Sequence, residues 1–242
     1  MTATFIKRSL RRSVEFILRG RLVLAVAETY LTIDDAPTER LPEKVETLAA
    51  RDIPAVFFCE GRRLDGHDSA AREAIERGYH LGNHTDTHLH ASEIPPERFR
   101  AEVTRTESSI EELYEATGET RPARLFRFPY GDKGGSQRER LQRILREQGF
   151  VPPEPAAIDS EWYECHAGDM DWPWTVDIED WIVETPAEMR AQVADAEGRL
   201  HDSSADIVLF HNGGNDPELF DAFVDGLTEY DLTFGDPLTL VR

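Results

Sequence analysis

The chain has 242 residues, of which 40% are hydrophobic and 31% are charged, and its formal net charge is −20. This much apolar sequence supports a sizeable core and excludes a globally disordered chain. The negative charge repels polyanions, so nucleic-acid binding through the general surface is excluded as a function class. No apolar run approaches the roughly 18 residues that a transmembrane helix needs.

The basic residues are almost all arginine. The 27 basic residues include only three lysines, which are Lys7, Lys44 and Lys133. An acidic, lysine-poor surface suits a salt-rich cytoplasm, because salt screens the repulsion between like charges. An ordinary acidic protein from an arginine-rich proteome would have the same composition, so both interpretations stay open.

The first 20 residues are basic but do not form a clean signal peptide, since Glu15, Arg19 and Arg21 interrupt the apolar region. Apolar residues recur there at helical spacing, as in Ile6 and Leu10. This pattern predicts an amphipathic helix over residues 1–20 that packs on the domain, with membrane-surface contact as the lesser alternative. Two cysteines give no disulfide framework, and we expect a cytoplasmic protein in which Cys59 is a buried thiol.

From residue 21 to 242 we predict a single domain in which strands alternate with helices. The predicted strands cover residues 22–27, 30–33, 55–59, 79–81, 125–128, 206–210 and 237–241. The predicted helices cover residues 42–50, 69–77, 96–117, 138–148, 186–200 and 217–230. The alternation predicts an α/β fold, a distorted or incomplete (β/α) barrel of parallel strands with about seven strand–helix units.

One long segment, residues 151–181, departs from the alternation. It contains four prolines and all four tryptophans of the chain. A loop of this length inside a compact domain is usually functional.

Polar residues follow the predicted strands where each strand ends. Asp34 and Asp35 follow the strand at 30–33, His84 and His88 follow 79–81, and His211 follows 206–210. In a barrel of parallel strands the carboxyl ends converge on the face that carries the active site. His84 and His88 at i and i+4 can bind one cation, and Asp35 would complete a three-ligand site with an open position for water. Such a site suits Zn²⁺ best and also accepts Co²⁺, Ni²⁺ or Mn²⁺.

Five motifs occur in a fixed order between residues 30 and 213, which is most of the chain. They are Thr32-Ile33-Asp34-Asp35-Ala36-Pro37, His84-Thr85-Asp86-Thr87-His88, Arg127-Phe128-Pro129-Tyr130-Gly131, Asp177-Ile178-Glu179-Asp180-Trp181 and Ile207-Val208-Leu209-Phe210-His211. This series resembles the motifs of the polysaccharide deacetylases, the NodB-homology or carbohydrate esterase 4 family. The resemblance implies a metal-dependent hydrolase that removes N-acetyl groups from amino-sugar oligo- or polysaccharides.

The resemblance also implies individual roles. Asp35, His84 and His88 would hold one divalent ion, and Asp34 would act as general base. His211 would protonate the leaving amine, with its pKa raised by Asp180, which Arg127 would hold in turn. The backbone N–H of Tyr130 would bind the oxyanion. Substrate would contact three residues, namely Pro129, Tyr130 and Trp181.

Three departures from the family pattern leave the substrate open. Ile33 replaces the usual Phe, Ala36 replaces the usual Gly, and Asn212 stands where Asp is common. If the turn needs a positive φ at residue 36, Ala36 causes strain or the turn differs. A hydrolase of a small non-sugar amide and a non-catalytic relative that binds carbohydrate or metal remain as alternatives. We expect no obligate protein partner.

Overall fold

The structure is a computed structural model. It describes residues 14–18, 21–25, 28–154, 168–200, 206–213, 216–230 and 232–241.

The main sheet is parallel. Its strands are β3 Glu28–Ala36, β4 Ala55–Cys59, β5 His80–Asn83, β6 Val176–Asp177, β7 Asp206–His211 and β8 Thr233–Phe234. The order is β5-β4-β3-β7-β6, and β8 pairs with the start of β3. Thr32 of β3 lies opposite Val56 on one side and Leu209 on the other. β3 is therefore the central strand, and its carboxyl end lies between those of β4 and β7.

Six α-helices connect the strands in the described part of the chain. They are α1 Leu41–Ala49, α2 Gly61–Glu76, α3 Pro96–Thr117, α4 Arg138–Glu147, α5 Pro186–Leu200 and α6 Pro217–Glu229. Proline in the first turn of α1, α3 and α6 favours a helix start, because its missing N–H has no helical partner there. Gly118 ends α3 with φ of 74°, a conformation that glycine adopts without a Cβ clash.

The segment predicted as a strand at 125–128 lies beside β5 but pairs with it only through an isolated bridge, from Asn83 to Phe126. The Asn83 N–H donates to Leu125 O, and the Arg127 N–H donates to Asn83 O. The segment takes the place of a strand in the alternation, because α4 follows it in the chain just as each other helix follows a strand of the sheet. The predicted parallel α/β fold with helical crossovers is confirmed.

The core lies on both faces of the sheet, since β4 is buried along its whole length and β3 along most of it. Leu31 and Phe57 pack with residues of α1 and α6, such as Val45 and Phe223, in the larger cluster. Phe58 and Trp172 pack in a second cluster on the opposite side. Cys59 is a free, buried thiol, as predicted. None of the described helices is long and apolar enough to cross a membrane.

The amphipathic helix predicted over residues 1–20 is wrong for the part that the structure describes. β1 Val14–Leu18 pairs antiparallel with β2 Arg21–Ala25 across a two-residue connection that contains Gly20. β-branched and aromatic residues favour strands, and a short Gly-containing connection favours a hairpin over a helix. Residues 1–13 lie outside the described residues, and the domain boundary at residue 20 stays a prediction.

The strand predicted over 237–241 is also wrong. Pro237–Leu240 form a 3₁₀ helix, whose start is capped by the Asp236 side chain accepting from the Leu238 N–H. An Asp–Pro pair favours this start, because the carboxylate caps an unpaired N–H and proline fixes φ. The final parallel strand is instead Thr233–Phe234.

Candidate active site

The carboxyl ends of β3, β5 and β7 open into a cavity of about 480 Å³. The cavity is lined by Asp34, Asp35, His84, His88, Tyr130, Gly131, Trp174, Asp177, Asp180, Trp181, Leu209, His211 and Gly213. All five motifs, which are separated by tens of residues in the sequence, therefore contribute to this cavity, as parallel strand ends do in this class of fold.

Three predicted metal ligands, Asp35, His84 and His88, converge at the bottom of this cavity. Their ligand atoms all lie within 4.8 Å of one another. His88 Nε2 is 3.1 Å and His84 Nε2 is 3.7 Å from Asp35 Oδ1. Burial raises the pKa of Asp35, but the close contact with His88 and the electrostatic effect of His84 and His88 outweigh burial, so the pKa lies well below its ordinary value. Asp35 is a carboxylate in this arrangement.

The hydrogen bonding of the triad fits a cation. His84 Nδ1 lies 2.8 Å from the carbonyl oxygen of Arg127, so the ring donates there and Nε2 carries the lone pair. That lone pair faces Asp34 Oδ2 at 3.6 Å and Asp35 Oδ1 at 3.7 Å. Asp35 Oδ1 is buried and makes no hydrogen bond of suitable geometry with any residue that the structure describes. A set of facing acceptors is repulsive until a cation lies between them.

Backbone strain is concentrated at this end of the sheet. Asp35, Thr85, His88 and Tyr130 have φ values of 61°, 64°, 56° and 58°, in a region that non-glycine residues rarely adopt. Ala36 has no positive φ, so the strain expected there lies one residue earlier. Such strain persists only where surrounding bonds enforce it.

The turn between the two histidines is fastened to α3. The buried Glu102 carboxylate accepts from the Thr87 N–H at 2.7 Å and from Thr87 Oγ1 at 2.8 Å, and it also pairs with Arg98. Asn83 donates to Val103 O and Glu107 from the other end of the turn. These bonds fix the backbone that presents the histidines.

Asp34 forms a fully buried ion pair with Arg127, whose Nη1 lies 2.8 Å from Asp34 Oδ1. The same guanidinium donates to Thr32 Oγ1, Trp172 O and Pro173 O. Burial lowers the pKa of Arg127, and the facing Asp34 carboxylate opposes that shift. The implied bond from Arg127 to Asp180 is therefore wrong. Arg127 lies in the segment beside β5, and its long side chain reaches Thr32 and Asp34, the predicted base, on β3.

Asp180 does pair with His211, as implied. His211 Nδ1 lies 2.8 Å from Asp180 Oδ1, which also accepts from the His211 N–H. Burial lowers the pKa of His211, but the bond and charge of Asp180 outweigh it and raise the pKa to about 9. The imidazole is thus cationic at neutral pH.

Exposed aromatic side chains flank the cavity. Tyr130 is 61% exposed and stacks on His90, and Trp181 is 56% exposed with its ring edge-on to His211. Pro129 is buried at the start of a 3₁₀ turn and is not among the residues that line the cavity. The structure brings two of the three predicted substrate contacts to the cavity wall.

Among the other tryptophans, Trp172 is a buried core residue and Trp174 lines the cavity, while Trp162 lies outside the described residues. Sequence reasoning missed Thr32 as a partner of Arg127 and the buried Lys44, whose Nζ donates to the backbone of Asn212. Both lie in or near the first motif. The signal for Lys44 was its rarity in an arginine-rich chain.

Comparison with known proteins identifies the family. The family model described as polysaccharide deacetylase matches residues 26–151. A peptidoglycan-N-acetylglucosamine deacetylase of Bacillus cereus is 25% identical over 77% of this chain and 73% of its own length. A chitooligosaccharide deacetylase of Rhizobium leguminosarum bv. phaseoli is 34% identical over 42% of this chain and 44% of its own length.

Solved structures agree on the fold. A CE4 family pseudoenzyme from Bacillus anthracis superimposes with a TM-score of 0.66 at 24% identity, over 89% of this chain and 65% of its own. A family 4 carbohydrate esterase from Streptomyces lividans, solved with acetate, gives 0.64 at 20% identity, over 89% and 96% of the two chains. The site geometry, the family match and these folds agree, and the chain belongs to the polysaccharide deacetylase family, also known as the NodB-homology or carbohydrate esterase 4 family.

Proposed function

We propose that this protein is a metal-dependent deacetylase that hydrolyses the N-acetyl groups of amino-sugar oligo- or polysaccharides. The observation that carries the proposal is the meeting of three parts in one cavity: the Asp35, His84 and His88 triad, the Asp34–Arg127 pair and the His211–Asp180 pair. Deacetylation of an amide needs a cation, a base and an acid, and each part supports one of these roles.

The triad would hold one divalent ion, and the orphaned Asp35 oxygen and the orientation of His84 Nε2 support this. Imidazole and carboxylate ligands favour Zn²⁺ and also suit Co²⁺, Ni²⁺ or Mn²⁺. When bound, the ion would acidify a water molecule and polarise the acetamide carbonyl.

Asp34 would take the proton of the attacking water. Its Oδ1 accepts a hydrogen bond from the buried Arg127 guanidinium, which has no acceptor atom and cannot itself take the proton. The bond at Oδ1 leaves Oδ2 toward His84 and the triad, which supports a role for Oδ2 as the base. Thr32 and two backbone carbonyls fix the guanidinium, so the carboxylate has little freedom to turn.

His211 would protonate the departing amine. An amine leaves poorly unless it is protonated, and a His211 pKa of about 9 keeps the donor charged at neutral pH. Asp180 bonds Nδ1, so the proton would be given from Nε2. The backbone N–H of Tyr130 would stabilise the oxyanion, and the exposed rings of Tyr130 and Trp181 would stack on a sugar.

Acetate release from N-acetylated chitooligosaccharides, measured with and without a chelator, tests the proposal. Metal-dependent release is the expected result, and elemental analysis of the purified protein then gives the ion. Binding of the oligosaccharide without release would favour the non-catalytic alternative. Activity only in a panel of small non-sugar amides would favour that class of substrate. The cytoplasmic location stays a prediction.

A further inference from the structure

A buried lysine lies behind the cavity and belongs to none of the five motifs. Lys44, on α1, is 0% exposed. Its Nζ lies 5.5 and 5.4 Å from the ring centroids of Phe210 and Phe220. Among the described residues its hydrogen-bond acceptor is the carbonyl oxygen of Asn212, at 3.2 Å. An ammonium buried with one hydrogen bond and two aromatic faces is costly compared with a methionine of similar length.

The residue that Lys44 contacts links both halves of the proposed acid–base machinery. Asn212 directly follows His211, and its N–H donates to the carbonyl oxygen of Asp34 at 2.7 Å. Its side-chain amide donates to Thr38 Oγ1 at 3.1 Å. Among the described residues, Asn212 is therefore held by three hydrogen bonds, and Lys44 provides the charged donor. A shift of the Asn212 backbone would therefore also shift His211, which precedes it, and Asp34, to which it is hydrogen-bonded.

The next residue packs against the candidate metal ligand. A Cβ at Gly213 would lie 3.3 Å from Asp35 Oδ2, so the chain passes this carboxylate closely. The peptide held by Lys44 thus lies between His211 and a residue in contact with Asp35.

The charge of Lys44 is also close to the site. Burial lowers the pKa of Lys44 to about 8, while the nearby carboxylates Asp180 and Asp35 raise it. The ammonium therefore offsets part of the negative charge that the cavity concentrates. Lysine is rare in this chain, with three lysines among 27 basic residues, so its presence at a fully buried position is unusual for this protein. The compact ammonium of lysine is smaller than the planar guanidinium of arginine, and it fits the space beside the rings of Phe210 and Phe220.

We propose that Lys44 is a positioning residue that fastens the end of β7, and with it His211, to β3 and α1. This inference rests on the proposed deacetylase function. It assigns to Lys44 no contact with substrate, because Lys44 is not among the residues that line the cavity.

The variant Lys44→Met, which keeps the length of the side chain and removes its charge and donor, tests this role. We expect at least a tenfold fall in kcat with KM within twofold, unchanged metal content, and a melting temperature equal to or above that of the wild type. We also expect the His211 imidazole resonances of the metal-free protein to shift. If Lys44 had a purely structural role, the melting temperature of the variant would fall below that of the wild type. A kcat within twofold of wild type, or a lower melting temperature that accompanies the loss, would overturn the proposal.

Arg51→Met is the matched control. Arg51 follows α1 and connects it to α6 through an ion pair with Asp225 at 2.6 Å, and it is not among the residues that line the cavity. We expect a lower melting temperature, unchanged kcat and unchanged His211 resonances. If Lys44→Met does not fold, Lys44→Gln carries the same comparison. An inactive wild type would contradict the proposed function, whereas an active wild type with an equally active Lys44 variant contradicts only the role of Lys44.

Discussion

On the β3–β5 side of the cavity, Asp34 is held by the buried Arg127 guanidinium and His84 by the carbonyl oxygen of Arg127. Several residues there, Asp35 among them, have a strained backbone. On the β6–β7 side, His211 bonds the Asp180 carboxylate and lies beside the exposed ring of Trp181. The first side fixes the spacing of ligands, whereas the second fixes the charge of one imidazole.

This difference separates two kinds of dependence. Rigid spacing is what a metal site requires, because ligand distances vary little. A proton donor requires a suitable pKa, which one well-placed carboxylate can set. Substitutions of the triad residues on the first side should therefore change metal content, and substitutions on the second side should change the titration of His211.

The largest effect is expected for His84→Ala. It removes one of three ligands and the bond to Arg127 O that orients it. We expect loss of bound metal and of turnover, measured by elemental analysis and acetate release. His90→Ala is the control for metal content, because His90 stacks on Tyr130 and is not in the triad. A full complement of metal in the His84 variant would refute the assignment.

Asp34→Asn should separate the base from the ligands on the same side of the cavity. The triad remains, so metal content should match the wild type, while kcat should fall by about 10²–10⁴-fold, the usual contribution of a general base. Paired measurements of metal stoichiometry and kcat check this. Normal turnover in this variant would remove Asp34 from the mechanism.

On the other side, Asp180→Asn should lower the pKa of His211 from about 9 to its ordinary value near 6.5 or below, since burial alone lowers it. Because the folded pKa exceeds the unfolded one, the pair stabilises the fold fully below about pH 6.5, and this contribution is lost as pH rises through 9. NMR titration of the metal-free protein and melting at several pH values measure both. An unchanged titration in the variant would contradict the pairing.

The smallest effect concerns the surface rather than either side of the cavity. If the net charge of −20 is an adaptation to salt, the melting temperature should rise by a few degrees between about 0.1 and 1 M KCl, where the screening length falls from roughly 10 to 3 Å. Parallel assays of metal content should not change. A flat or falling curve leaves the arginine-rich proteome as the explanation.

Much of the candidate site could be predicted from the sequence, because the candidate catalytic residues occur directly after apolar runs. Asp34 and Asp35 at the end of β3 and His211 at the end of β7 were placed by that rule. The rule did not place Pro129, which the 3₁₀ turn buries away from the cavity. The periodicity of apolar residues predicted a helix where Val14–Leu18 pair as a strand. Helical spacing over so short a window does not exclude a hairpin.

Sequence by itself determined the alternation of strands and helices and the kinds of side chain at the strand ends, because both depend on local periodicity and residue type. Tertiary structure alone decided that Arg127 bonds Asp34 and that Lys44 reaches Asn212. These partners lie 93 and 168 residues apart, and only the folded sheet brings them within bonding distance.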